Sequence, residues 1–194
     1  MSVDPIADGT ALFTQASPGA GLVYGAVRLS LLCYFVGIIL LMLSNRDHRW
    51  WRWARWFWTA GFIAFLVHFV SAFHFAHHWS HQHALEVTAR RTLETVGVAF
   101  GQGIYVNHLF LLIWGADVGW MWGSPRSYQR RPRLISNSVQ LFLLFIVFHA
   151  TVTFGQGAIR WWGLTGLTAI ILSGVLIRWI QPSIELAASG KDAL

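Results

Sequence analysis

Long apolar stretches, broken by short segments rich in arginine or histidine, organise this chain. Five such stretches stand out, at about 22–44, 57–79, 93–120, 137–157 and 162–180. Each is near the ~20 residues that an α-helix needs to cross a bilayer core. The apolar residues run on continuously rather than in short amphipathic periods, so they call for lipid more than for a water-facing shell. The sequence therefore predicts an all-α integral membrane bundle of about five transmembrane helices, forming one membrane domain over 1–194. In that reading 1–21 is an extracytoplasmic N-terminal segment and 181–194 a cytoplasmic tail. Segment 80–92 is the main outer loop, and Ser124–Ser136 the main inner loop.

Composition strengthens this picture. The 194 residues are 55% hydrophobic and 11% charged, whereas a soluble domain carries roughly twice that charged fraction. The single cysteine, Cys33, lies inside an apolar run, which excludes a disulfide framework and a thiolate metal cluster. Residues 1–21 contain Asp4 and Asp8 and no basic stretch, so they do not read as a cleaved signal peptide.

Charge sets the expected orientation. Arg46, Arg49, Arg52, Arg55, Arg126, Arg130, Arg131, Arg133, Arg178 and Lys191 fall on one side, and Arg28, Arg90, Arg91 and Arg160 on the other. The richer side is cytoplasmic by the positive-inside rule, which leaves the N-terminus outside and the C-terminus in the cytoplasm. The net charge of +6 is confined to these short segments. No extended basic face remains for nucleic acid. The lipid bilayer and other membrane subunits are the expected partners, and a bacterial cytoplasmic (inner) membrane the expected location. Trp50, Trp51, Trp53, Trp56 and Trp58 gather at the inner end of the second stretch, and Trp79, Trp161 and Trp162 mark outer ends. Such belts place the indole body in the apolar layer and its N–H in the headgroups. Gly97 with Gly101, and Gly115 with Gly119, are spaced so that the third span can approach its neighbours closely.

Nine histidines give the candidate chemistry. On a helix continuing to position 81, His74, His77, His78 and His81 share one face, and His83 points away. Neutral imidazoles at i and i+4 suit a metal ion, with Glu86 and Glu94 nearby as oxygen donors to it or as acceptors for the ligands' ring N–H groups. The string His74-Phe-Ala-His77-His78 is similar to a histidine box of membrane-bound di-iron desaturases and hydroxylases. No further HxxHH or HxxxHH box occurs here. Those enzymes' boxes face the cytoplasm, opposite to the side expected here.

His68, His108 and His149 fall near the middle of the second, third and fourth stretches. Ionisable groups at that depth usually face a bundle interior. Two chemistries suit them: three imidazoles around a copper, zinc or iron ion, or two axial ligands to the iron of haem b. The alternative is interhelical hydrogen bonding, with Tyr105, Asn107, Gln102 or Gln140 as partners. Asp117 is expected to reach a headgroup or to pair with a cytoplasmic arginine. No catalytic triad, phosphate loop or covalent haem-attachment string is present. The leading expectation is a membrane protein that binds a metal ion or haem through His68, His108 and His149. It would serve electron transfer or a larger membrane complex, with a metal-binding histidine face at 74–81. A non-catalytic scaffold subunit and a metal or proton transporter are the alternatives.

Overall fold

The computed structural model describes residues 19–44 and 47–189, with only the backbone described at 178 and 180–189. The described chain is all helical, without a strand. Its elements are α1 (Ala20–Ser44), α2 (Arg49–Phe75), α3 (His81–Val96), α4 (Gly103–Gly123), α5 (Pro125–Gln129), α6 (Arg133–Phe148), a π-helical turn (His149–Thr153) and α7 (Ala158–Ser189). Four segments are long and apolar enough to cross a membrane: Ala20–Ser44, Arg49–Phe75, Arg133–Thr153 and Ala158–Ile177. Asp4 and Asp8, Arg46 and Lys191 lie outside the described residues, as does the side chain of Arg178.

Two boundaries depart from expectation. α2 begins at Arg49, because Asp47 caps it by accepting a bond from the Arg49 N–H at 3.0 Å, and the Arg-Trp segment simply continues the helix. The expected third span does not start at 93. Gly97 adopts a left-handed φ of 79° and ends α3, its N–H donating to the Leu93 carbonyl at 2.9 Å. Thr92 Oγ1 then accepts the Phe100 N–H at 2.8 Å. A Cβ on Gly101 would come within 2.7 Å of the Leu85 carbonyl oxygen. Both glycines therefore make a turn instead of a helix seam. The expected outer loop at 80–92 is mostly α3, whose small residues Ala84, Thr88 and Thr92 recur every fourth position. Ala84 and Thr92 are buried, and α3 packs on α4. The expected inner loop likewise contains the short helix α5.

The described helices divide between two compact units, one drawing on 19–30 and on Phe62–Ile146, the other on Leu31–Gly61 and on 147–189. In the first unit an aromatic seam joins α2 to α4. Phe65 meets Phe110 edge-on at 4.8 Å between ring centres, and buried Trp114 touches Phe62, Phe65 and Phe110. Gly115 makes room for Phe62, whose ring lies 3.0 Å from where its Cβ would be. At the far end of α4, buried Asp117 pairs with Arg131 and accepts from the Tyr128 hydroxyl at 3.0 Å. Arg131 also donates to Ser136 Oγ at 2.7 Å, so one guanidinium ties α4, α5 and α6 together.

In the second unit, Tyr34 of α1 and Trp58 of α2 are fully buried with ring centres 5.4 Å apart. Trp58 is thus a core residue and not part of a headgroup belt. Trp53 and Trp56 are instead exposed, at 51% and 56%. α7 meets α1 at Gly166, where a Cβ would fall 2.2 Å from the Phe35 ring. The π-turn presses buried Thr151 against α7. A Cβ on Gly163 would lie 2.1 Å from Thr151 Oγ1, and one on Gly155 would lie 1.9 Å from the Thr151 carbonyl oxygen.

Gly166→Ala should therefore destabilise the fold by about 1–3 kcal/mol, the usual cost of over-packing. Gly119→Ala meets nothing within 4 Å and should be neutral or stabilising by roughly 0.5–1 kcal/mol, as alanine is in a helix interior. Thermal unfolding in detergent of the two variants checks this, and equal melting temperatures would contradict the packing described.

Candidate functional site

The histidine face expected at 74–81 does not form, because α2 ends at Phe75. The His77 N–H reaches back to the Ala72 carbonyl at 3.2 Å, and the Trp79 N–H to the Phe73 carbonyl at 3.0 Å. His78 and Trp79 are then left-handed, with φ of 48° and 61°. That conformation is costly for residues with a Cβ, and here it reverses the chain. Ser80 begins the next helix, its hydroxyl accepting the His83 N–H at 3.2 Å. His74, His77 and His78 thus belong to a turn and its approach, and His81 to a different helix.

The turn sorts the imidazoles into new pairs. His77 faces His83, with ring centres 5.7 Å apart. His77 Nδ1 and His83 Nε2 are both buried and have no hydrogen-bond partner. His83, which helical spacing set aside, is brought in by the chain reversal. His81 Nε2 lies 3.2 Å from the Tyr105 hydroxyl of α4, and its ring centre is 6.1 Å from that of His108. Phe73 stands between the pairs, in ring contact with His77 at 5.5 Å and His108 at 5.9 Å. His74 and His78 are exposed, and His74 Nδ1 accepts the Trp79 indole N–H at 3.2 Å. Glu86 accepts from Gln82 at 2.9 Å, and Glu94 is exposed. Neither is placed as an oxygen donor to a metal. Among the described residues no group of three or more His, Cys, Asp or Glu is placed to hold a metal ion.

The three candidates expected at mid-span each have their own anchor. His68 Nδ1 lies 2.9 Å from the Val23 carbonyl of α1. His108 Nδ1 lies 2.8 Å from the Ile104 carbonyl one turn back. A carbonyl can only accept, so each Nδ1 carries the proton and each Nε2 presents its lone pair. Phe69, next to His68, is edge-on to His108 at 5.1 Å. With α4 running Gly103–Gly123, His108 sits about 7.5 Å inside its helix, halfway between its start and its centre. His149 belongs to the second unit. It opens the π-turn, with Nδ1 3.2 Å from Thr153 Oγ1 and its ring edge-on to Phe148.

Gln140 of α6 is a further polar group that the sequence suggested only as a bonding partner. Both polar atoms of its carboxamide are buried without a hydrogen bond. Around Asp117, burial and the neighbouring carboxylate push the Tyr128 phenol well above its ordinary range, so it stays a donor to Asp117.

No protein-family model, characterised protein or solved structure matches this chain.

Burial, then the nearby His83 and His78, hold the His77 imidazole below its ordinary range of about 6.5. The unfolded chain therefore binds a proton near pH 6 that the folded turn excludes. Stability of the turn should fall as pH drops through about 6.5 and level off below the folded value. Ring-proton NMR should show His77 titrating below the ordinary imidazole value of about 6.5, and exchange of amides 76–84 should quicken on acidification. Titration of His77 at or above about 6.5 would contradict this.

Proposed function

We propose that this chain is a five-span membrane protein that binds haem b or a transition-metal ion through Nε2 of His68 and His108. It would serve electron transfer within a larger assembly of a bacterial inner membrane. The observation that carries the reading is the shared state of the two rings. Each Nδ1 is tied to a backbone carbonyl, the outer-shell contact that fixes the tautomer and orientation of iron- and zinc-binding imidazoles. Each Nε2 makes no hydrogen bond among the described residues. In an apolar layer a bare imidazole nitrogen is costly, and an iron or copper ion satisfies it.

The fifth span is α4. Its 21 residues extend about 31 Å at helical rise, enough to cross the core. Asn107, His108 and Asp117 make it less apolar than the other four, and Asp117 is compensated by Arg131. With α4 crossing, the arginines at 49–55 and 126–133 share one side, which the positive-inside rule makes cytoplasmic.

Natively purified protein should show a Soret band or stoichiometric metal by elemental analysis, lost in His68→Gln and His108→Gln. Absence of both, with co-purifying membrane subunits, would overturn the reading in favour of a scaffold. Colourless stoichiometric metal transferred across vesicles would overturn it in favour of transport. Reporter fusions at 126–133 should report the cytoplasm. A signal from the outer side would overturn the orientation.

A further inference from the structure

We infer that His77 and His83 form a two-imidazole site for a zinc or copper ion, on the turn joining α2 to α3 and separate from His68 and His108. Two ring nitrogens, His77 Nδ1 and His83 Nε2, are buried and unbonded in rings that face each other. A buried pair of this kind usually solves its problem internally, one ring donating N–H to the other. Here neither does, so both nitrogens are open to a shared third party.

The spacing fits an ion. A zinc or copper ion about 2 Å from a ring nitrogen lies about 3.2 Å from that ring's centre. Two such rings then have centres about 5.2 Å apart at a tetrahedral angle and about 6.4 Å apart in a linear arrangement. The observed 5.7 Å lies inside this range. The two rings are tilted by 56° and do not stack. Neutral nitrogen donors suit zinc and copper and disfavour calcium or magnesium, which take oxygen.

The site's setting supports the same conclusion. The chain spends two consecutive left-handed residues, His78 and Trp79, to return His77 towards His83, although neither is glycine. Strain of this sort persists where the surroundings hold it, and it gathers at binding sites. Phe73 packs against the His77 ring, and the adjoining His78 and Ser80 are exposed. Water or an external ligand would complete the coordination of an ion held by two imidazoles. The site does not rest on the haem reading, since no residue is shared.

The test uses the full chain in detergent micelles, titrated with Cu(II) alone and then with Zn(II) as competitor. One tight equivalent of Cu(II) is expected, with pulsed EPR reporting two imidazole nitrogens. His77→Gln and His83→Gln should each weaken binding by at least tenfold and leave one imidazole. His74→Gln and His78→Gln should leave affinity and spectrum unchanged. Unchanged binding in the His77 and His83 variants would overturn the site, as would dependence on His78. Should a variant fail to fold, the count on the unaltered chain decides: any number other than two coordinating imidazoles overturns the assignment. The Soret band is recorded in His77→Gln and His83→Gln as well. Its retention with copper binding lost separates this site from that of His68 and His108.

Discussion

A backbone N–H or C=O placed in hydrocarbon has no water to turn to, so each must be satisfied by its own segment. For apolar stretches as long as these, that requirement leaves the helix as the one usable element. It also drives irregular backbone, and the polar side chains that serve it, to the helix ends. The turns at 76–80 and 97–102 show the result. Ser80 Oγ and Thr92 Oγ1 accept N–H groups of His83 and Phe100, so side chains supply what the interrupted helices cannot. The imidazoles of His77, His81, His83 and His108 collect at these ends because that is where chain direction changes and residues distant in sequence meet.

The opposite end of α4 obeys a related rule for charge. Asp117 is buried, and it is tolerated because Arg131 and Tyr128 take up its two carboxylate oxygens. Arg131 in turn lies over the Tyr128 ring, 3.9 Å from its centre. Removing one partner of such a buried pair costs roughly 3–5 kcal/mol, because the other charge is stranded. The ion pair therefore fixes how the short α5 folds back against α4 to begin α6. The aromatic seam of Phe62, Phe65, Phe110 and Trp114 makes the rest of the α2–α4 contact a matter of shape.

Much of this was legible from residue pattern alone. Four of the five apolar stretches correspond to helices that are long enough and apolar enough to cross a membrane, and the pairing of Asp117 with an arginine follows from its position at a helix end. The histidine face was misread for a physical reason. The segment 74–83 contains no glycine or proline to announce a break, and the left-handed residues are His78 and Trp79, types that seldom adopt that conformation. Spacing arguments assume a continuous helix, so they grouped His74, His77, His78 and His81 and excluded His83. The glycine pairs misled differently. Gly115 does serve helix approach, but Gly97 and Gly101 serve a turn, and spacing alone cannot tell the two uses apart. Trp58 shows the same ambiguity, because an indole in an arginine-rich segment is as compatible with a core as with a headgroup layer.

The π-turn carries a consequence for how this sequence can drift. Thr151 is held between Gly155 and Gly163, but the two contacts differ in kind. The obstacles at Gly163 are the threonine's own Oγ1 and Cβ, so glycine at 151 frees volume that an alanine at 163 can occupy. The obstacle at Gly155 is the carbonyl oxygen of residue 151, which every amino acid possesses. Positions 151 and 163 can therefore exchange bulk between them over generations. Position 155 has no such partner, and among descendants that keep the π-turn it stays glycine.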